Sequence, residues 1–156
     1  MGRDLYEKYP IARQTIDEAD AILFSMPSPS HQQQQQLPKE EGYLKRVMFE
    51  GPQEELTRTE NAQPAILTIS IALLRVLETE QGLDLKKQCQ FALGHSLGEY
   101  SALVATRALS LADAVRLVVR TYLPFAHIAV LLCCCCCCCW LWKGMECVHT
   151  HFFILW

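Results

Sequence analysis

Apolar and polar positions alternate with a helical period over residues 10 to 24. Ile11, Thr15, Ala19, Ile22 and Leu23 recur on one side, and Arg13, Gln14, Asp17, Glu18 and Asp20 face outward. Pro10 suits a first helical turn, so the pattern predicts a helix that ends before Ser25. A second helix is predicted from Pro64 to Glu78. There Ile66, Leu67, Ile69, Ile71, Leu73, Leu74, Val76 and Leu77 cover so wide an arc that the helix must be buried on most sides. Residues 25–42 separate the two and contain Ser25-Met26-Pro27-Ser28-Pro29-Ser30-His31, five glutamines and Leu37-Pro38. Such a stretch has too little apolar surface to fold, which favours a flexible surface insert over a functional glutamine tract and makes His31 a poor catalytic base.

The period changes further on. Gln90-Phe91-Ala92-Leu93 reads as a short buried strand, and Glu99 to Ala105 reads as a helix. Ser110 followed by Asp113 resembles a capping box opening a last helix that runs to Arg120. No internal repeat is visible.

Between that strand and helix lies Gly94-His95-Ser96-Leu97-Gly98. G-x-S-x-G is the spacing a nucleophilic serine needs at a sharp strand-to-helix turn, because the flanking positions must lack side chains that would collide with the strand or the helix. A tight turn with no chemistry would have the same glycines. In the catalytic reading Ser96 is the nucleophile, and the backbone N–H of Leu97 is one oxyanion donor at a helix N-terminus. His95 is a poor base for Ser96, since the residue before the nucleophile points away from its hydroxyl and a base normally comes from a distant segment.

The segment from Gly94 to Leu103 resembles the nucleophile region of malonyl-CoA:acyl carrier protein transacylases. Met1 to Pro10 is similar to the stretch that follows that family's N-terminal glycine- and glutamine-rich loop. Gly51 to Leu67 resembles the approach to the helix flanking the active site, and Ser110 to Val118 continues the likeness. The resemblance covers residues 1–120 and looks most like the stand-alone enzyme of fungal mitochondrial type. It implies an α/β-hydrolase-like transacylase core and an acyl carrier protein S-malonyltransferase that works through an acyl-serine in fatty acid synthesis. Its partners would be a coenzyme A thioester (malonyl-CoA as substrate) and acyl carrier protein, with no metal or prosthetic group. It implies a mitochondrial address, or otherwise a cytoplasmic one; no targeting segment is visible in the sequence. Gln63 would lie near the acyl pocket, although an ordinary polar residue near a helix start is the other reading.

The same resemblance sets out what to expect beyond these residues. The family's second oxyanion donor would precede Met1, and its histidine base would follow Arg120. The arginine that reads the malonyl carboxylate would fall at Thr121, one position and about 100° of helical rotation past Arg120. Arg116 is expected to face solvent. The ferredoxin-like subdomain is expected to be missing. A partial domain cut at both ends, with the chain changing course by an intron or a frame change after Arg120, is therefore the expectation. An inactive fragment or mis-spliced product is the first alternative and a G-x-S-x-G serine esterase the second.

Residues 121–156 form an apolar tail unlike the family, whose charged residues are Lys143 and Glu146 and which contains seven consecutive cysteines, Cys133 to Cys139. Adjacent cysteines are a poor tetrahedral cage, so a metal-binding reading is disfavoured. Tyr122 to Trp142 has the length and flanking Arg120 and Lys143 of a membrane span, but Pro124, His127 and the low-complexity run argue against one. His127, His149 and His151 belong to the same tail and have no expected role. Apart from that cysteine run, the only cysteines are Cys89 and Cys147, which excludes a disulfide framework. Seventeen carboxylates against 14 basic residues, with the basic residues scattered, give no nucleic-acid surface.

Overall fold

The computed structural model describes residues 1–26, 40–89, 91–121 and 152–155. The element order is α1 (Arg3–Lys8), α2 (Pro10–Ser25), α3 (Tyr43–Phe49), α4 (Gln53–Thr57), α5 (Thr59–Glu80), α6 (Leu85–Gln88), β1 (Phe91–Gly94), α7 (Leu97–Ala105), α8 (Leu111–Thr121) and β2 (Phe152–Leu155). The strands pair in parallel, with Phe91 opposite Phe152 and Gly94 opposite Leu155. Among the described residues, α7 and α8 lie between the two parallel strands in the chain. Residues 152–155, within the apolar tail, thus join β1 in a two-stranded sheet. The poly-cysteine run, the apolar stretch from Tyr122 to Trp142, the glutamine tract, and His31, His127, His149 and His151 lie outside the described residues.

Helix α5 is the hub. It packs against α2, α7 and α8, and its Ala65, Leu67 and Ile71 meet Ala19 and Ile22 of α2 and Val104 of α7 in the main core. Among the described residues it is also the one helix long and apolar enough to cross a bilayer, but here it serves as a core helix. It starts at Thr59, five residues earlier than the apolar pattern indicated. Pro64 is buried inside the helix although it has no N–H to donate. The extra first turn is held from outside: Asn61, 2% exposed, donates from Nδ2 to the Glu55 carbonyl at 2.8 Å, and Tyr43 donates from its hydroxyl to Asn61 Oδ1 at 3.2 Å. Tertiary contacts of this kind override a local helix-start signal.

A second correction concerns the arc of α5. Leu67, Ile71, Leu74 and Val76 are buried as expected, but Ile66 and Leu73 are exposed.

Helix α2 forms where the periodicity put it, extended by one residue to Ser25. Its outward face is corrected at one position. Asp20 is 5% exposed and reaches α3, where it accepts from the backbone N–H groups of Gly42 at 2.8 Å, Leu44 at 2.9 Å and Lys45 at 3.3 Å. The first N–H groups of a helix have no intrahelical partner, so this carboxylate caps α3 from another element. Ala12 and Ile16 fill the core in place of the half-buried Ile11 and Leu23.

Candidate functional site

Strand β1 runs into α7 through His95 and Ser96. Its Ala92 face packs on Leu74, Ala102 and Ala105, which fixes the strand against α5 and α7. Because the chain reverses in two residues, Gly94 sits directly on the first turn of α7. A Cβ on Gly94 would lie 2.0 Å from the carbonyl carbon and oxygen of Gly98 and 2.6 Å from the Glu99 nitrogen. Neither backbone could tolerate that, so the glycine at the first position of the motif is a steric requirement of this turn. Gly98 is itself buried.

Ser96 occupies the N-cap of α7 with φ 54° and ψ −115°, a region in which a side chain is strained. The Gly98 N–H donates to the His95 carbonyl at 2.9 Å and the Glu99 N–H to the Ser96 carbonyl at 3.1 Å. Leu97 is the first residue of the helix, and among the described residues no backbone carbonyl accepts from its N–H. Ser96 is exposed, and its hydroxyl has no hydrogen-bond partner among the described residues. An exposed hydroxyl beside a free N–H at a helix N-terminus can present a nucleophile and stabilise the oxyanion that its attack creates.

The other candidates fall as follows. Gln63 lies half-buried near the start of α5, on the helix that packs against α7. His95 is exposed in the turn and is the one histidine among the described residues. Arg116 pairs with Asp113 at 3.2 Å on the outer side of α8, and Arg120 is exposed near that helix's end. Asp113 in turn receives the Ser110 hydroxyl at 2.7 Å, and its N–H donates to Ser110 Oγ at 3.0 Å, so the capping-box-like start is present. The Ser110 hydroxyl and Arg116 hold the Asp113 carboxyl below its ordinary range. Among the described residues no group of three or more His, Cys, Asp or Glu could hold a metal ion.

An open groove of about 600 Å³ lies at the opposite end of β1, lined by Leu83, Leu85, Cys89, Ala105 and Arg107 among others. In parallel α/β sheets chemistry gathers beyond the carboxyl ends of the strands. Ser96 is at that end and the groove is not.

Residues 1–123 match the family model described as the acyl transferase domain. Over 115 residues the chain is 47% identical to the malonyl CoA-acyl carrier protein transacylase of Bacillus subtilis (strain 168), covering 74% of this chain and 29% of that protein. Over 119 residues it is 41% identical to the protein of the same name from Escherichia coli (strain K12), covering 76% and 31%. The crystal structure of an acyl-carrier-protein-S-malonyltransferase from Bartonella henselae superposes with a TM-score of 0.61 at 38% identity, over 76% of this chain and 32% of that one. An acyl carrier protein S-malonyltransferase from Vibrio cholerae gives 0.56 at 34% identity, with the same coverage. The chain therefore spans less than one third of the length of these relatives. With the matched stretch containing α1 to α8, β1 and the Ser96 turn, the chain belongs to the acyl transferase domain family.

Proposed function

We propose that the chain carries the nucleophile part of an acyl carrier protein S-malonyltransferase. The observation that supports this best is the Ser96 turn: a serine held at strained angles, flanked by a glycine that tolerates no Cβ, at the start of a helix. In the proposed reaction Ser96 Oγ attacks the thioester carbonyl of malonyl-CoA and gives up its proton to a base. The Leu97 N–H donates to the oxyanion, the coenzyme A thiolate leaves and is protonated, and a malonyl-serine ester remains. The pantetheine thiol of acyl carrier protein then attacks that ester and regenerates the serine. Gln63 would border the acyl pocket. The chain itself would bring neither a metal nor a prosthetic group to these steps, and a mitochondrial address goes with the reading.

One observation favours a second reading, a chain with a formed nucleophile but no turnover by itself. Among the described residues nothing accepts a hydrogen bond from the Ser96 hydroxyl. A serine at its free pKa is a weak nucleophile, and the lack of a general base costs on the order of 10²–10⁴-fold in rate.

Intact-mass spectrometry of the chain with malonyl-CoA tests both readings. A malonyl adduct that accumulates over hours and disappears in Ser96→Ala is the expected result. A stoichiometric adduct within minutes would remove the second reading. Modification unaffected by Ser96→Ala, or none after overnight incubation, would remove the first.

A further inference from the structure

Helix α7 is bracketed by strain. Among the described residues, the two non-glycine residues with positive φ are Ser96 at 54° and Arg107 at 65°, one beyond each end of that helix. Arg107 closes it: its N–H donates to the Val104 carbonyl at 3.0 Å, and the next N–H, of Ala108, donates to the Leu103 carbonyl at 2.9 Å. That pair of bonds ends a helix through a left-handed residue, a place that glycine takes freely and a residue with a Cβ does not. What the arginine adds is its side chain. One Nη atom donates to both carboxylate oxygens of Glu78, at 3.1 and 3.0 Å. Glu78 lies in the last turn of α5, where the helix dipole disfavours a carboxylate. Each partner therefore occupies a position that its own element disfavours, and the ion pair is what the two positions share.

Exposed ion pairs contribute little to stability, and the Arg107 side chain is 65% exposed, so holding the fold together does not account for it. The geometry offers another role. The pair joins the end of α7 to the end of α5, the helix at the centre of the packing. On its β1 side α7 packs through Ala102 and Ala105, short side chains that interlock little, so contacts at its ends help to set how far it stands along α5. At the other end its first turn presses on Gly94, with no room for a Cβ. We propose that Arg107, acting through Glu78, is a positioning residue for Ser96: the clamp keeps α7 from sliding off Gly94 and so keeps the serine at its strained angles. The proposal rests on the reading of Ser96 as the nucleophile, and it deepens that reading by naming what holds the nucleophile in place.

The test uses the full 156-residue chain with two variants, Arg107→Gly and the charge swap Glu78→Arg with Arg107→Glu. Arg107→Gly relieves the left-handed residue as it removes the clamp, so its thermal midpoint should equal or exceed the parent's. Hydrogen exchange at Gly98 and Glu99, at the far end of α7, should nonetheless become about tenfold faster, and the charge swap should restore it. The malonyl adduct on Ser96 is followed by intact mass over a range of malonyl-CoA concentrations. Its limiting rate should fall about tenfold in Arg107→Gly with the half-saturating concentration unchanged, because a displaced nucleophile loses alignment and not substrate binding. Unchanged exchange at Gly98 and Glu99, a lowered midpoint with faster exchange throughout α7, or a charge swap that restores nothing would each overturn the clamp. A parent chain that forms no adduct counts against the proposed function alone, since hydrogen exchange still decides the clamp.

Discussion

The helical layer around α3 and the β1–α7 turn solve opposite problems. Around α3 nearly every polar group is answered. Asp20 caps the helix with three backbone bonds, Tyr43 and Asn61 join α3 to α5, and Arg46 grips Glu55 with both Nη atoms at 3.2 and 3.3 Å. At the turn the backbone is strained, Ser96 is exposed and its hydroxyl is unanswered among the described residues. The contrast shows where hydrogen bonding is concentrated and where backbone strain lies. One region holds the domain together through satisfied hydrogen bonds, and the other spends stability to present a serine.

The strongest way to break the contrast is to fill the space at Gly94. Gly94→Ala should cost about 3 kcal/mol, because its Cβ meets main chain on Gly98 and Glu99 and no side chain can move aside. Hydrogen exchange would locate the loss in β1 and the first turn of α7. A variant as stable as the parent would show that the turn can open enough to admit a Cβ at Gly94.

Next in size is the anchor in the helical layer. Asp20→Ala strands three backbone donors of α3 and should cost about 2 kcal/mol in urea unfolding. A loss below about 0.5 kcal/mol would mean that solvent can replace the carboxylate.

The acid response should also separate the regions. Arg46 hydrogen bonds hold the Glu55 carboxyl below its ordinary range, as the Ser110 hydroxyl does for Asp113. A carboxyl with a lowered folded-state pKa adds stability above its unfolded pKa and loses it as pH falls through the folded value. The thermal midpoint should therefore drop as pH falls from about 5 toward 3. Glu55→Gln should flatten part of that drop, and an unchanged slope would separate Glu55 from it.

A smaller effect is expected between α5 and α7, helices that pack together. Thr68 Oγ1 and Ser101 Oγ are buried without a hydrogen-bond partner among the described residues. Thr68→Val and Ser101→Ala should be neutral or stabilise by up to about 1 kcal/mol, since an unpaired buried hydroxyl has only its desolvation cost to lose. Clear destabilisation in a thermal melt would reveal a partner for either group.

What could be read from the residues divides along the same line. The turn was legible because its stereochemistry is local: two glycines, a serine and a change of period from strand to helix all fall within residues 90–105. Helix α2 and the buried side of α5 were legible from their 3.6-residue pattern. Helix α3 was not, because it is seven residues long and its start is set by Asp20, 22 residues earlier than Gly42. Nor was the first turn of α5, which depends on Glu55 and Tyr43. Exposure of Ile66 and Leu73 is not a sequence property at all, since the pattern marks a residue as apolar and only the packing partners decide whether it is covered. The pairing of β1 with Phe152–Leu155 has the same character: partners in a sheet are chosen by the whole fold.

The central claim is that the chain holds Ser96 in a strained conformation that glycine would adopt freely. Chemical denaturation of Ser96→Gly beside Ser96→Ala tests it without requiring any catalytic activity. Both variants lose the hydroxyl, and only glycine relieves φ 54°, ψ −115°. Ser96→Gly should be more stable than Ser96→Ala by about 1 kcal/mol, net of the larger chain entropy that glycine must give up on folding. Equal stability, or a less stable glycine variant, would contradict the claim that this turn strains its serine.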